Sequence, residues 1–416
     1  MKLNKKTIII ISIFCLLAAG IIFTAILIHK SKTIKFAFYR VPEDQGKIIR
    51  TLVEENFKKE DKPYKFIEFN DEINLISQAR KADILFTSMG LAADKAVESI
   101  PEKNKPEVLF NLSMLEGTSI SVANFTMETK SSSKEKISQI PLFFDGYEML
   151  ISIPSLVETK TSLINSWNNI ENFASKCKSA VSPISFAGGN SDTLLAVTGI
   201  IVESFDGKEK YNSIIEKIKS HSGSQQELFE KLISEDESFH DALKRITGWK
   251  NKELLKKDFL KMNSKDFLDV VRQYKTGIIF MPLSEHRKLS NDIAKTLTSL
   301  PIFTNETNFY YPSMRPLNTR SAIIDSVSMI SMSSKKNAKD SVNFLLKEEA
   351  QETLAFKTGL APFLANCKIP DMQSDDLRFW IAATSTPSVS LGHAAFDNDS
   401  KKEEFAAEIR NWIEKN

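Results

Sequence analysis

The chain begins with an apolar segment that divides it into two parts of different character. An uncharged run from Thr7 to Ile28 follows a lysine pair, and at about 1.5 Å per residue it would cover roughly 30 Å, the thickness of a bilayer's hydrocarbon core. The apolar part of a secretory signal is shorter, about 7 to 15 residues, and ends at a small-residue cleavage site that this run lacks. We therefore predict an uncleaved transmembrane anchor within residues 1–32, with a cleaved export signal as the alternative.

Basic residues before this segment predict its orientation. Lys2, Lys5 and Lys6 precede the apolar run, and lysines that flank a span favour the cytoplasmic side of the membrane. The remaining chain should then lie on the extracytoplasmic, or periplasmic, side of the cell membrane. One interpretation of Cys15 is the lipidated cysteine of a lipoprotein signal. Such a site needs a small residue before the cysteine, and the bulky Phe14 is there instead. We interpret Cys15 as an apolar membrane residue.

The charge balance excludes one class of partner. The whole chain has 55 basic and 53 acidic residues, but five of the lysines lie in residues 1–32, which contain no acid, so the other 384 residues carry a net charge of −3. These 384 residues therefore lack the excess of basic side chains that binds nucleic acid. Only Cys177 and Cys367 remain in it, and we predict two buried thiols rather than a disulfide-built domain.

The sequence shows no common catalytic signature. The five histidines form neither H-E-x-x-H nor an i, i+4 pair, and no Walker A loop or G-x-S-x-G motif occurs. We therefore predict a non-enzyme without cofactor or metal.

After residue 32 the pattern changes to alternating strands and helices. A β-rich run, Ile34–Tyr39, precedes a helix with apolar residues at helical spacing from Ile48 to Phe57, and two further runs, Tyr64–Phe69 and Ala82–Thr87, flank a short helix. A β-α-β-α-β order predicts a doubly wound parallel sheet, whose ligands bind beyond the carboxyl ends of the strands. The loops at 39–43 and 88–90 are therefore candidate binding loops.

The centre of the chain alternates in the same way. Two apolar stretches meet at Asp145-Gly146, a capped helix is expected over Asn165–Cys177, and a strand at 181–187 leads to the turn Gly188-Gly189-Asn190, whose N–H groups could approach a ligand. Charged helices fill most of 208–274, and further helices are expected over 337–346, 348–359, 377–384 and 403–415.

The order of these segments resembles that of the extracellular solute-binding proteins of ABC transporters, the maltose-binding-protein-like class. The similar segments are IPLFFDGYEMLIS (140–152), KTGIIFMPLSEHRKL (275–289), SMISMSSKKNAKDSVNFLLKEEAQETLAFKTGLAPF (328–363) and DLRFWIAAT (376–384). The similarity covers nearly all of residues 33–416, and its specificity lies in the order and spacing of the segments.

The resemblance implies an α/β fold: a two-lobed, periplasmic-binding-protein-like clamp with doubly wound sheets, preceded by one transmembrane helix. Its implied parts are a membrane anchor or signal at 1–32, a first lobe at 33–140, a second lobe at 141–300 with hinge crossings at both ends, a return to the first lobe at 301–364, and C-terminal helices at 365–416. A monomer of this kind closes on a small solute, here a sugar, and delivers it to a membrane permease.

The resemblance also implies ligand-binding positions, which we transfer by place in the sequence. They are Tyr39, Arg40, Glu43, Ser88, Met89, Asp145, Gly189, Asn190, Asp192, Met281, Leu283 and Trp380. Carboxylates and a guanidinium can hydrogen-bond sugar hydroxyls, and an aromatic ring can stack on a sugar face. The loop at Ser88-Met89 departs from the class, which often has an aromatic residue there.

Several of these residues also have purely structural interpretations. Trp380 could be core packing, Asp145 a turn former, Arg40 a surface charge and Glu43 a carboxylate at a helix N-terminus. The glycines at 188–189 could form only a flexible turn.

Two other functions remain open at this stage. The pair Tyr310-Tyr311 is similar to the paired tyrosines of ferric-iron binding proteins of the same fold. The anchor and the scarcity of polar aromatics also allow a membrane-anchored sensor or surface protein without a transport role.

Overall fold

A computed structural model of the chain describes residues 33–68, 75–101, 110–111, 136–137, 139–161, 164, 166–177, 179–273, 275–303, 320–364, 367–382 and 388–416. Helices and strands alternate through most of these ranges. The strands are β1 Ile34–Tyr39, β2 Tyr64–Glu68, β3 Ile84–Ser88, β4 Phe110–Asn111, β5 Lys136–Ile137, β6 Ile140–Pro141, β7 Phe143–Ser152, β8 Ser182–Ser185, β9 Thr276–Pro282, β10 Leu297–Leu300, β11 Ile302–Phe303, β12 Arg320–Ser321, β13 Ile323–Asp325, β14 Val327–Ser331, β15 Ala361–Pro362 and β16 Ser388–Val389.

The α-helices vary from single turns to one of thirty residues that is kinked at Gly207. They are α1 Glu43–Lys59, α2 Leu75–Ala79, α3 Leu91–Glu98, α4 Ile153–Thr159, α5 Trp167–Lys176, α6 Ser191–Ser220, α7 Gln225–Glu235, α8 Glu237–Asn251, α9 Ser264–Arg272, α10 Leu283–His286, α11 Asn291–Ala294, α12 Lys336–Leu345, α13 Glu348–Thr358, α14 Met372–Ala382, α15 Leu391–Ala395 and α16 Asp399–Lys415.

The first sheet has the strand order β2-β1-β3-β14-β6. Strands β1, β2 and β3 are parallel, which confirms the sheet predicted from the β-α-β-α-β pattern, and β14 joins β3 in the antiparallel direction. Buried phenylalanines on one face of the sheet, among them Phe36, Phe38 and Phe86, pack on α1 and α13. Small residues of α3 cover the other face. We call this unit the first lobe.

The chain leaves the first lobe at residue 142. Strand β6 pairs with β14 of the first sheet, whereas β7 starts only two residues later and enters a second sheet. The main-chain N–H of Leu142 still donates to Val327 of the first sheet. The segment 140–152 therefore crosses between the two sheets, as the resemblance implies.

Strand β7 runs without interruption through Asp145-Gly146, so the interpretation of this dipeptide as a turn is wrong. Both residues pair with β13, which fixes them in extended conformation. Gly146 is needed for another reason, because a Cβ there would lie 2.3 Å from a methyl group of Leu377. The dipeptide lets α14 pack directly on the crossing strand.

The second sheet has the order β16-β13-β7-β9-β8, with β10 and β15 also paired to β7. Its core contains apolar side chains of α5 to α9 and of α16, including Trp167, Trp249 and Phe405. We call this unit the second lobe. The final helix therefore packs in the second lobe, whereas α14 packs in the core of the first.

Two sequence predictions outside the sheets have different outcomes. Cys177 and Cys367 are free and buried, as predicted, and burial raises the pKa of each thiol to about 11. Across the residues that the structure describes, no helix is long and apolar enough to cross a membrane. The predicted anchor lies at 1–32, outside those residues, and remains a prediction.

Candidate functional site

Polar residues of the first lobe collect where β1 and β3 end. Tyr39 lies opposite Thr87 in the parallel ladder, so the residues that follow, Arg40 and Ser88, reach the same edge of the sheet. This is the edge at which the sequence places the binding loops. It faces the second lobe at α15 and the start of α16.

The β1 loop is bonded to a short stretch of the second lobe, Phe396–Asp399, which we call the interlobe segment. The hydroxyl of Tyr39 donates to the Asp397 carbonyl at 2.8 Å, and Nη1 of Arg40 donates to the Phe396 carbonyl at 2.6 Å. Nη2 of Arg40 lies 3.0 Å from a carboxylate oxygen of Asp399, with only 3% of the arginine side chain exposed. Arg40 has a φ of +51°, an uncommon conformation for a residue with a side chain.

The β3 loop approaches the same region of the second lobe. Gly90 has a φ of +106°, and a Cβ there would lie 2.3 Å from the carbonyl oxygen of His393. One turn along α3, Nζ of Lys95 lies 2.6 Å from a carboxylate oxygen of Asp397. Glycine at position 90 is therefore required by the close approach of the two lobes.

Charges of opposite sign continue from the interlobe segment into the second lobe. Nζ of Lys402 lies 2.8 Å from Asp399 and 2.7 Å from Asp192, while His393 stands 3.7 Å from Asp192. Burial lowers the pKa of Lys402, but the two carboxylates outweigh that effect and raise it above its usual value. Burial likewise raises the pKa of Asp192, and its cationic neighbours more than reverse this. Arg40, Asp399, Lys402 and Asp192 thus form a chain of alternating charge across the cleft.

A second group of acids lies at the crossing strand. Asp145 and Asp325 are directly opposite each other in the antiparallel pair of β7 and β13; Asp145 is buried and Asp325 is half-buried. Asp145 accepts the main-chain N–H of Ser284 at 2.9 Å, and Asp325 accepts the hydroxyl of Ser390. Burial raises the pKa of Asp145 to about 7 and also raises that of Asp325.

Buried polar atoms at this site with unused hydrogen-bonding capacity include Ser88 Oγ, His393 Nδ1, Arg40 Nη2 and Asp192 Oδ1, the last two despite their ion pairs. Buried groups of this kind are usually satisfied by water or ligand. The cleft therefore presents donors from the first lobe opposite carboxylates from the second. This arrangement suits a small solute that offers both acceptors and donors.

The predicted site residues divide into those at the cleft and those elsewhere. Tyr39, Arg40 and Asp192 make the contacts described above, and Ser88 and Asp145 are buried. Asn190 caps α6 by accepting the N–H of Thr193 at 3.0 Å.

The other predicted residues make different contacts. Glu43 is exposed and pairs with Lys47 at 2.5 Å, which lowers its pKa. Met89, Met281 and Leu283 are buried, and Trp380 packs in the first-lobe core, as its structural interpretation predicts.

Gly189 lies in close packing contact with the backbone of residues 261–262. Its N–H donates to the carbonyl of Met262, and a Cβ at this position would lie 2.7 Å from the carbonyl carbon of Lys261. The neighbouring N–H groups of Gly188 and Asn190 also donate within the chain. The expectation that this turn offers free N–H groups is therefore wrong.

Sequence reasoning missed the residues that face Arg40. Asp397, Asp399 and Lys402 belong to a charged stretch at the start of α16, which gives the same signal as any solvated helix N-terminus. Asp325 lies in a strand-like run with no separate signal. Only the fold brings these side chains to the cleft.

Other candidate sites are weaker. A cavity of about 170 Å³ is lined by residues including Lys217, His221 and Asp236, but typical ligand pockets measure about 300 to 1,000 Å³. Within the described ranges, no group of three or more His, Cys, Asp or Glu side chains could hold a metal ion. The pair Tyr310-Tyr311 lies outside those ranges.

This fold, two lobes joined by a crossing strand, is similar to that of several solved structures. The bacterial solute receptor AcbH, described as having an exclusive preference for β-D-galactopyranose, matches with a TM-score of 0.64 and 12% identity over 92% of this chain and 97% of that one. MsmE of Bacillus subtilis, in an open conformation, matches with a TM-score of 0.65 and 12% identity over 92% of this chain and 95% of that one.

RafE of Streptococcus pneumoniae in its apo form gives a TM-score of 0.60 and 12% identity over 92% of this chain and 97% of that one. These neighbours are binding proteins rather than enzymes, in agreement with the predicted non-enzyme. At this identity the similarity establishes the fold, which is the one that the sequence resemblance implies. No protein-family model matches the sequence, and no curated protein does either.

Proposed function

We propose that this chain is an extracytoplasmic solute-binding protein that captures a small solute, in the class of sugars, and delivers it to the permease of an ABC transporter. The observation that carries the proposal is the pairing of Arg40 and Tyr39 in the first lobe with the Phe396–Asp399 stretch of the second, at the carboxyl edge of a parallel sheet. Clamp proteins bind solutes between lobes that close by a hinge.

The chemistry of the cleft supports a hydroxyl-bearing solute. Arg40 offers planar donors, Asp192 and Asp399 offer bidentate acceptors, and Ser88 offers a buried hydroxyl without a partner. Neither a purely apolar nor a simple ionic ligand would use this mixture. With Trp380 in the core, sugar specificity would depend on hydrogen bonds rather than on stacking by that ring.

The proposed location rests on the first 32 residues. The apolar run is long enough to span a bilayer, and the lysines before it favour a cytoplasmic N-terminus. A monomeric body held at the outer face of the membrane would be close to a permease.

A thermal-shift screen tests the proposal. The full chain in detergent is melted with monosaccharides, oligosaccharides, amino acids, polyamines and ferric citrate, each in large excess. A solute at 100 times its dissociation constant stabilises the folded state by about 2.7 kcal/mol, so a sugar should raise the melting temperature by a few degrees. Stabilisation by ferric citrate alone would favour the iron-binding alternative. No stabilisation by any compound would contradict a solute binder and favour the surface-protein alternative.

A further inference from the structure

The interlobe segment occupies the first-lobe side of the cleft. Its two carbonyls and two carboxylates accept from, or pair with, three side chains of the first lobe: Tyr39, Arg40 and Lys95. Tyr39 ends β1, Arg40 follows it, and Lys95 lies on the helix after β3, the elements whose loops would receive a solute. The segment thus fills the acceptor positions that a solute's oxygens would take.

The interlobe segment is fixed to the second lobe. Phe396 is buried against Phe405 with ring centroids 5.4 Å apart, and the side chain of Asn398 caps α16 by accepting the N–H of Lys401 at 3.0 Å. The segment must therefore move with the second lobe as a rigid piece. Separation of the lobes would break its contacts to the first lobe and leave its own structure intact.

The charges allow this separation at modest cost. When Arg40 leaves Asp399, that carboxylate keeps a second cation, because Lys402 lies 2.8 Å away in the same lobe. Asp399 is also 44% exposed, so water can replace part of the lost contact. The arginine in turn becomes free to bind another acceptor.

We infer that Phe396–Asp399 act as an internal ligand, which holds the lobes closed without solute and must leave the first-lobe contacts before a solute can enter. The displacement of the segment by a solute rests on the proposed function, since it assumes that the solute binds in this cleft. The closure of the lobes by the segment does not depend on that function. A solute that enters must offer acceptors to Arg40, Lys95 and Tyr39 in place of the segment's oxygens.

Distance measurements between spin labels test the closure without any solute. Labels are attached at Lys59→Cys in the first lobe and Lys231→Cys in the second, in full-length protein carrying Cys15→Ala; both positions are exposed. The native Cys177 and Cys367 are buried and should stay unlabelled. In low salt we expect one short distance. About 1 M salt should shift part of the population to a longer distance, because it screens ion pairs.

The variant Asp397→Asn/Asp399→Asn removes both carboxylates of the segment while keeping their shape. The loss of each pair is expected to raise the open-to-closed ratio up to about fivefold, so the double variant should show a clear second distance. The control is Asp241→Asn, which removes an exposed carboxylate that pairs with Lys244 of the same helix. It should leave the distances unchanged.

Two further readouts keep the inference falsifiable. If the double variant does not fold, Lys95→Gln removes a contact from the first-lobe side and should open the clamp to a smaller extent. An unchanged distance in a folded double variant would overturn the inference that the segment is an internal ligand. An unchanged distance in Lys95→Gln measured at high salt would overturn it as well. A failed solute screen would overturn the proposed function but would not change these distances, so the two failures can be told apart.

Discussion

Asp145 is buried where the chain passes between the lobes, and it faces a second carboxylate, Asp325, across the ladder. Burial raises its pKa to about 7, whereas an unfolded chain would ionise it near its usual value of 3.8. Between these two pH values the folded state binds more protons than the unfolded state. The free energy of unfolding must therefore fall as pH rises from about 4 to about 7.

The substitution Asp145→Asn tests this dependence. The amide oxygen can still accept the N–H of Ser284, but no proton is gained on folding. The wild type should lose up to about 4 kcal/mol of its free energy of unfolding over this pH range through Asp145, and the variant should lose less. Urea unfolding followed by tryptophan fluorescence at pH 5 and pH 8 measures the difference. An equal loss in both proteins would contradict the assignment, and Asp241→Asn, on an exposed residue, serves as the control.

At the residue scale, the sequence predicted one side of the cleft better than the other. Arg40 and Ser88 were predicted because a rule links the ends of parallel strands to ligand loops. Asp397 and Asp399 were missed because their importance comes from a contact made across about 360 residues of chain. Trp380 was predicted to contact the ligand because of the family resemblance. In the structure it packs in the first-lobe core with apolar neighbours such as Leu377 and Ile381.

Single elements were easier to predict than their contacts. Helix α1 follows from apolar residues at helical spacing, with acids in its first turn and lysines in its last. The Asp-Gly pair of β7 was interpreted as a turn because turn propensity is a local property of the sequence. Pairing with β13 overrides that propensity. The two glycines before α6 were predicted to let N–H groups approach a ligand. Close packing against 259–262 also requires residues without a side chain, so the sequence does not distinguish the two roles.

Gly90 offers a test at the level of elements. In Gly90→Ala the new Cβ would collide with the His393 carbonyl of the other lobe, so the variant should hold the lobes apart. Gly207→Ala is a matched control, because that glycine also has a positive φ but has no atom within 4 Å of a Cβ. Both variants carry a backbone strain of about 1 to 3 kcal/mol. The spin-label distance should lengthen only in Gly90→Ala. Equal distances in the two variants would show that the approach of α15 to α3 does not control closure.

At the scale of the whole molecule, the fold could be predicted although no family model matches the sequence. The order of strands and helices sets the topology, and many different sequences can satisfy it. The lobes, the crossing strand and the return of 327–331 to the first sheet all follow that order. The identity of the solute does not follow from it, because specificity depends on a few side chains that the topology leaves free.

Hydrogen exchange on the full chain, with and without the sugar that gives the largest thermal shift, tests the central claim most directly. A solute held between the lobes should change exchange in three stretches, 39–41, 88–95 and 393–402, which belong to both lobes. A change confined to one lobe, or centred on the small cavity at 217–236, would contradict a clamp that binds its solute in this cleft.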